Sequence, residues 1–135
     1  MASKKHQFIL GLLLKKMRME GYKVFYVEGK FIGSPQDEVM LPPRVIRHRP
    51  DAVGVSITGQ VAIADAKTAS DVRGRRTEEQ LVDYTSIELN GVRCEVFIGI
   101  PASAEDDMNH VLHKLALDGN PRLHLLRVPE GIINE

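Results

Sequence analysis

Excess charge, paired cysteines and a membrane-length apolar run are all missing from this 135-residue sequence. Lysine and arginine together number 18, as do aspartate and glutamate, so the formal net charge is zero. That argues against a general polyanion binder held by bulk charge. The lone cysteine, Cys94, has no partner for an internal disulfide. It sits among apolar, strand-like residues, which reads as a buried thiol in a protein of a reducing compartment, the cytoplasm. A Cys-based metal site or Cys nucleophile has little support. Spanning a bilayer takes roughly 20 apolar residues, and no segment comes near that. The run Phe8 to Leu14 follows Lys4 and Lys5 in the manner of a secretion signal, but it is short, no small-residue cleavage site follows, and Lys15, Lys16 and Arg18 close it. It reads instead as a helix packed on the domain. Neither a glycine-rich phosphate loop nor a Ser-His-Asp arrangement stands out.

A hydrophobic fraction of 43% and a charged fraction of 27% are those of a folded domain rather than a disordered chain. The length fits one domain over residues 1–135. Charge is unevenly spread: residues 1–50 hold ten Lys and Arg against four Asp and Glu, and residues 51–135 hold eight against fourteen. Either the first part meets phosphates or the two parts neutralise each other across the fold.

The pattern predicts a helix over 4–20, with Leu10, Leu13, Leu14 and Met17 at helical spacing and Gly21 as its stop. Tyr22 to Val27 predicts a strand. Residues 29–50 are irregular and rich in Gly and Pro, long enough to hold a short extra element or a functional flap. Asp51 to Ile57 and Val61 to Thr68 predict two strands about a turn at 58–60, followed by a polar loop over 69–76. A helix from Thr77 to Leu89, a strand from Cys94 to Ile100, a helix over 103–118 and a strand from Leu123 to Val128 complete the order α-β-β-β-α-β-α-β. In so short a chain that order means an α/β fold, a mixed sheet flanked by helices.

Alternate side chains of a strand share a face. Val61, Ile63, Asp65 and Lys67 therefore share one and Ala62, Ala64 and Ala66 the other, while Asp51, Val53, Val55 and Ile57 oppose Ala52, Gly54 and Ser56. A three-residue turn pairs Ile57 with Val61, Val55 with Ile63, Val53 with Asp65 and Asp51 with Lys67, so that apolar meets apolar and small meets small. The small residues make a flat face on which a helix packs closely. At one end of the other face Asp51, Asp65 and Lys67 gather. A two-residue turn would instead move Asp51 to the far face. Carboxylates meeting at a sheet end repel unless neutralised, and Mg²⁺ takes one or two carboxylates together with waters and phosphate. A lysine beside them orients or activates a water, or holds a phosphate oxygen, which suits phosphodiester hydrolysis. The bland alternative is an ion-paired strand end in which Lys67 bridges Asp51 and Asp65.

Pro50-Asp51, followed after a turn by Asp65-Ala66-Lys67, resembles the signature of the PD-(D/E)xK nuclease superfamily. The restriction-endonuclease-like core of that superfamily runs α-β-β-β-α-β, the order predicted for residues 4–100. Gln80 and Tyr84 form Q-x-x-x-Y at the start of the next helix, similar to the extra motif of the RecB-type branch. Four apart, they share a helix face. The resemblance implies that core with an extra C-terminal helix and strand. It also implies a deoxyribonuclease dependent on Mg²⁺ or Mn²⁺, an endonuclease by preference. Asp51, Asp65 and the Ala66 carbonyl would bind metal, Lys67 would assist the water or stabilise charge, and Gln80 and Tyr84 would face the site. Many members carry an acid in the first helix. Here Glu20, at the end of that helix, or Glu28, after the first strand, is what remains to complete the metal site; without either, one ion rather than two is implied. Gln80 has a second reading, because Thr77-Glu78-Glu79-Gln80 fits a capping box with Thr77 as N-cap. Tyr84 also fits as a half-buried core residue.

Arg73, Arg75 and Arg76 before a helix N-terminus, and Arg44, Arg47 and Arg49 leading into Pro50-Asp51, are candidates to hold the phosphates of DNA. The first group also fits an ordinary exposed loop. His110 and His113 lack a third ligand and read as structural. One compact unit has one site, so cutting both DNA strands would suit a homodimer. The alternatives to a nuclease are a non-catalytic nucleic-acid-binding or adaptor module with this fold, and a structural domain.

Overall fold

The computed structural model describes residues 3–32, 48–89 and 91–133. Ser3 caps the first helix, α1 (Lys4–Met19), by accepting the His6 N–H, and the stripe Ile9, Leu10, Leu13 and Met17 is buried. A short hairpin of β1 (Tyr22–Val27) and β2 (Lys30–Phe31) follows. Next come β3 (Ala52–Ser56), β4 (Val61–Ala66), α2 (Arg75–Ser86), the small ladder β5 (Glu88–Leu89) and β6 (Val92–Arg93), β7 (Glu95–Pro101), α3 (Glu105–Lys114), β8 (Leu123–Val128) and α4 (Glu130–Ile133). The six-stranded sheet runs β2-β1-β3-β4-β7-β8. Strands β2, β1, β3 and β4 pair antiparallel, and β4, β7 and β8 pair parallel. This is the mixed sheet expected. β2 is a short element in the described part of the irregular stretch, most of which, with Arg44 and Arg47, lies outside the described residues.

The two faces of the sheet are packed differently. On one, α1 lies over Ala52, Ala62, Ala64, Ala66 and Phe97. That approach needs missing side chains: a Cβ on Gly99 would stand 2.7 Å from Ile9 Cγ2, and one on Gly54 3.2 Å from Met17 Cε. On the other face Val53, Ile63, Val96, Ile98 and Ile100 pack with Leu81 and Tyr84 of α2 and Met108, Val111 and Leu112 of α3. Cys94 is buried in this second cluster, and burial pushes its thiol up to about 11. It is therefore an inert packing group. No helix among the described residues is long and apolar enough to cross a membrane.

Several boundaries differ from expectation. The hairpin register is Ala52↔Ala64, Val53↔Ile63, Gly54↔Ala62 and Val55↔Val61. The turn is therefore two residues longer than a three-residue loop. Ser56 N donates to the Gln60 carbonyl at 2.8 Å, its hydroxyl accepts from Gln60 N at 3.0 Å, and Gly59 takes a positive φ of 89°. Ile57, expected to pair with Val61, is fully exposed in that turn. A shift of two keeps every side chain on its predicted face, but it sets Asp51 opposite Asp65 rather than Lys67. Helix α2 begins at Arg75 with Gly74 as N-cap, so Arg75 and Arg76 are its first turn, not a loop. It ends at Ser86, where the Thr85 and Ser86 hydroxyls fold back onto the Leu81 and Val82 carbonyls. α3 is shorter than 103–118: a 3-10 turn over Ala102–Ala104 precedes it and Ala116 at φ 58° ends the run.

Candidate active site

At the end of the hairpin, the backbone and the two acids hold each other. Asp51 N donates to Asp65 Oδ1 at 2.7 Å, and Ala66 N donates to Asp51 Oδ2 at 2.8 Å. The strand end is fixed to its neighbours by Lys67 N donating to the Gly99 carbonyl and Glu28 N donating to the Asp51 carbonyl, both at 2.8 Å. Both carboxylates are thus placed by main chain rather than by flexible side chains, which is the kind of support a reactive constellation needs.

Asp65 is 1% exposed, and its Oδ2 is buried without a hydrogen bond among the described residues. Lys67 Nζ stands 3.6 Å from that oxygen, an ion-pair distance too long for a hydrogen bond. The Lys67 ammonium donates instead to Gln80 Oε1, and Lys67 and Gln80 are both buried. Gln80 is therefore bound to the site and not to a helix cap; Thr77 donates its hydroxyl to the Asp71 carbonyl at 2.7 Å. The capping-box reading fails because the helix starts two residues earlier. Tyr84, fully buried, places its hydroxyl beside the Asp65 carboxylate and favours its ionised form, yet Tyr84 Oη forms no well-aligned hydrogen bond among the described residues. Q-x-x-x-Y therefore faces the acids and the lysine.

Burial is the main force on Asp65 and pushes its carboxyl up to about 7. The Asp51 carboxylate adds to the rise; Lys67, the Asp51 N–H and Tyr84 oppose it. Burial, with the neighbouring Asp65 charge second, raises the Tyr84 phenol well above its ordinary value. An acid pair that cannot be fully ionised without help is what a divalent cation relieves. The donor chemistry fits one such ion: two carboxylates side by side, one of them with a buried, unbonded oxygen. Among the described residues no group of three or more His, Cys, Asp or Glu side chains is arranged to hold a metal.

The first helix contributes a histidine where the resemblance implies an acid. His6 Nε2 lies 3.0 Å from Asp51 Oδ2. Its hydrogen bond to Asp51 raises its pKa against the opposing effect of burial. His6 sits on the buried stripe of α1, three residues before Ile9 and seven before Leu13, and that break in an apolar stripe was the signal available in the sequence. Glu20 is at the C-cap of the same helix, bound to Lys16 at 3.2 Å. Fourteen residues of helical rise, about 21 Å, separate it from His6, so it does not join the acids. Glu28 is nearer, accepting both Gln7 Nε2 contacts at 3.0 Å. A second missed group is His48, buried edge-on against Tyr84 with Nε2 3.1 Å from Asp83 Oδ2, which ties the segment before Asp51 to α2.

The arginines divide. Arg73 pairs with Asp107 at 2.8 Å and Arg75 with Glu79 at 3.5 Å. Arg76 is exposed and close enough to Tyr84 to oppose the rise of its phenol. Arg49 is also exposed, beside Gly29 and thus near the acids' end of the sheet.

No family model matches the chain, and no curated protein does. Two solved structures share its fold. One is a repair endonuclease from Pyrococcus abyssi, with a TM-score of 0.53 at 17% identity over 96% of this chain and 48% of that one. The other is EndoMS in complex with double-stranded DNA, with a TM-score of 0.51 at 17% identity over 96% of this chain and 46% of that one. The chain spans about half the length of either. Together with the sheet order and the flanking helices, these likenesses give the chain a restriction-endonuclease-like fold.

Proposed function

We propose that the chain is a metal-dependent nuclease that hydrolyses phosphodiester bonds in DNA, acting as an endonuclease of the PD-(D/E)xK type. The observation that carries this reading is the buried Asp65 carboxylate, raised to about 7 beside Asp51, with Lys67 3.6 Å from its unbonded oxygen. A Mg²⁺ or Mn²⁺ ion, held by Asp51, Asp65 and the Ala66 carbonyl, would neutralise the acids and supply an activated water. Lys67 holds positive charge where the phosphate gains negative charge, and Gln80 fixes the lysine's direction. Tyr84 keeps water from the far side of Asp65. Arg49 and Arg76 stand at the site's rim as phosphate contacts. His6 orients Asp51. Cutting both strands would suit a homodimer.

The test is incubation with supercoiled, linear, single-stranded and branched DNA, with and without Mn²⁺, beside Asp65→Asn and Lys67→Ala. Metal-dependent cleavage lost in both variants is expected; cleavage unaffected by either would sink the assignment. The arrangement of two acids rather than three also favours a second reading, a nucleic-acid-binding or adaptor module that does not cleave. Calorimetry showing no Mg²⁺ or Mn²⁺ binding with DNA affinity intact would select it.

A further inference from the structure

The outward face of α1 is built against the helix's own stability. Lys4, Phe8, Gly11, Lys15 and Arg18 follow one another at steps of three or four and so share one side of the helix, opposite Ile9, Leu10, Leu13 and Met17. All five are exposed. Lys4 stands in the first turn, which contains no acid, where the helix dipole disfavours a cation. Gly11 is mid-helix, a poor place for glycine, and a Cβ there would meet nothing within 4 Å. Among the described residues no contact accounts for it. Among the described residues, Lys4, Lys15 and Arg18 form no ion pair, while Lys16 of the same helix pairs with Glu20 at 3.2 Å. Local choices that cost stability without an internal return collect at surfaces used for binding.

We infer that this face of α1 is a docking surface for the phosphodiester backbone of a nucleic acid, which runs along the helix away from the acids. The identity of the polyanion rests on the proposed function. The cations match phosphates, the absent side chain at Gly11 lets a backbone come close, and Phe8 offers a ring to a sugar or base. The stripe begins in the same turn as His6 but on the opposite side of the helix, His6 facing the sheet and Asp51. From Lys4 to Arg18 the helix rises about 21 Å. At about 3.4 Å per nucleotide of one strand, that spans about six nucleotides. An anionic membrane calls for a broader apolar face than Phe8 and Met19 supply.

The test is fluorescence anisotropy of labelled single- and double-stranded oligonucleotides in Ca²⁺, across a salt series. It compares the full chain with the triple variant Lys4→Ala/Lys15→Ala/Arg18→Ala, with Gly11→Glu, and with Arg73→Ala/Arg75→Ala. The triple variant should bind about tenfold more weakly, and its salt slope should fall by about two to three phosphate contacts. Gly11→Glu should weaken binding several-fold without lowering the melting temperature, and the arginine pair should stay within twofold. Wild-type affinity in the triple variant, with metal-dependent cleavage intact, overturns the inference and leaves the nuclease reading standing. Binding that depends on α1 without any cleavage in Mn²⁺ supports the inference and sinks the nuclease reading. Binding to phosphatidylserine vesicles in place of both DNA forms overturns the docking partner, and no DNA binding at low salt overturns both readings.

Discussion

The two sides of the sheet do different work, and the contrast is written in side-chain size and in ion pairing. Beneath α1 the sheet is paved with Ala52, Ala62, Ala64 and Ala66, with Gly54 and Gly99 at the closest approaches, so the helix sits near the backbone and its register is fixed by shape. Beneath α2 and α3 the sheet presents Val53, Ile63, Val96, Ile98 and Ile100, and Arg75 of α2 and Lys114 of α3 are each paired with a glutamate. The acids sit where the two sides meet. His6 reaches Asp51 from α1, and Gln80 reaches Lys67 from α2. Close packing on one side and buried polar contacts on the other together immobilise four side chains at one sheet end, which neither side alone would do.

Changes at the chemical centre should have the largest effect. Asp65→Asn and Lys67→Ala are each expected to lower the cleavage rate by about 10³-fold, since each removes charge from the reacting phosphate's surroundings. Gln80→Ala leaves Lys67 charged but unheld, and should cost about tenfold. Single-turnover rates on one DNA substrate measure all three. A Gln80→Ala loss equal to that of Lys67→Ala would mean that Gln80 does more than steady the lysine.

The packing side is broken by Gly99→Ala. The new methyl would meet Ile9 Cγ2 at 2.7 Å, in the middle of the buried stripe. Overpacking of this kind costs about 1–3 kcal/mol. Urea unfolding should show the midpoint fall at an unchanged slope. An unchanged midpoint would mean that α1 rides freely over the sheet and does not fix His6.

Much of this was legible in the sequence, for stated reasons. Alternation over 51–67 put Asp51, Asp65 and Lys67 on one face, and that survived a register error because the turn was longer by two residues, an even number. The pairing partner of Asp51 was not legible, since Ile57 reads as a strand residue and nothing in its type reveals that Ser56 would close the turn. Spacing of four in Gln80 and Tyr84 gave a shared face, but the choice between cap and site hung on where α2 starts, and Gly74 as a cap has no side chain to announce it. His6 is legible only as a polar break in the apolar stripe of α1, and nothing in its type names Asp51, far along the chain, as its partner. The pairing of Arg73 with Asp107 joins residues far apart in sequence and has no local signature.

The pH dependence of the metal-free protein sharpens the contrast. Asp65 in the unfolded chain loses its proton near 3.8, and in the fold near 7. Between those values the folded state holds a proton the unfolded state has lost, so stability falls as pH rises from about 4 to about 7. His6 acts in the same direction. Its folded pKa is raised, so its contribution is full below its ordinary value of 6.5 and is lost as pH rises through the folded value. In EDTA the chain should therefore be more stable at pH 5 than at pH 8, by about 3 kcal/mol. Asp65→Asn should flatten most of that slope. A variant with the wild-type slope would show that Asp65 does not titrate in this range.

The smallest effect belongs to the exposed ion pairs of the α2 and α3 side. Arg73 Nε meets Asp107 Oδ1 at 2.8 Å, but both side chains are about half exposed. Water and salt screen such a pair, and its net worth is about 0–1 kcal/mol. Arg73→Ala should therefore leave the melting temperature nearly unchanged, and a double-mutant cycle with Asp107→Ala should give a coupling near the bottom of that range, smaller still at high salt. A coupling well above it would mean that the pair anchors the loop before α2, and with it Gln80, so that the surface of this side would also belong to the placement of the site.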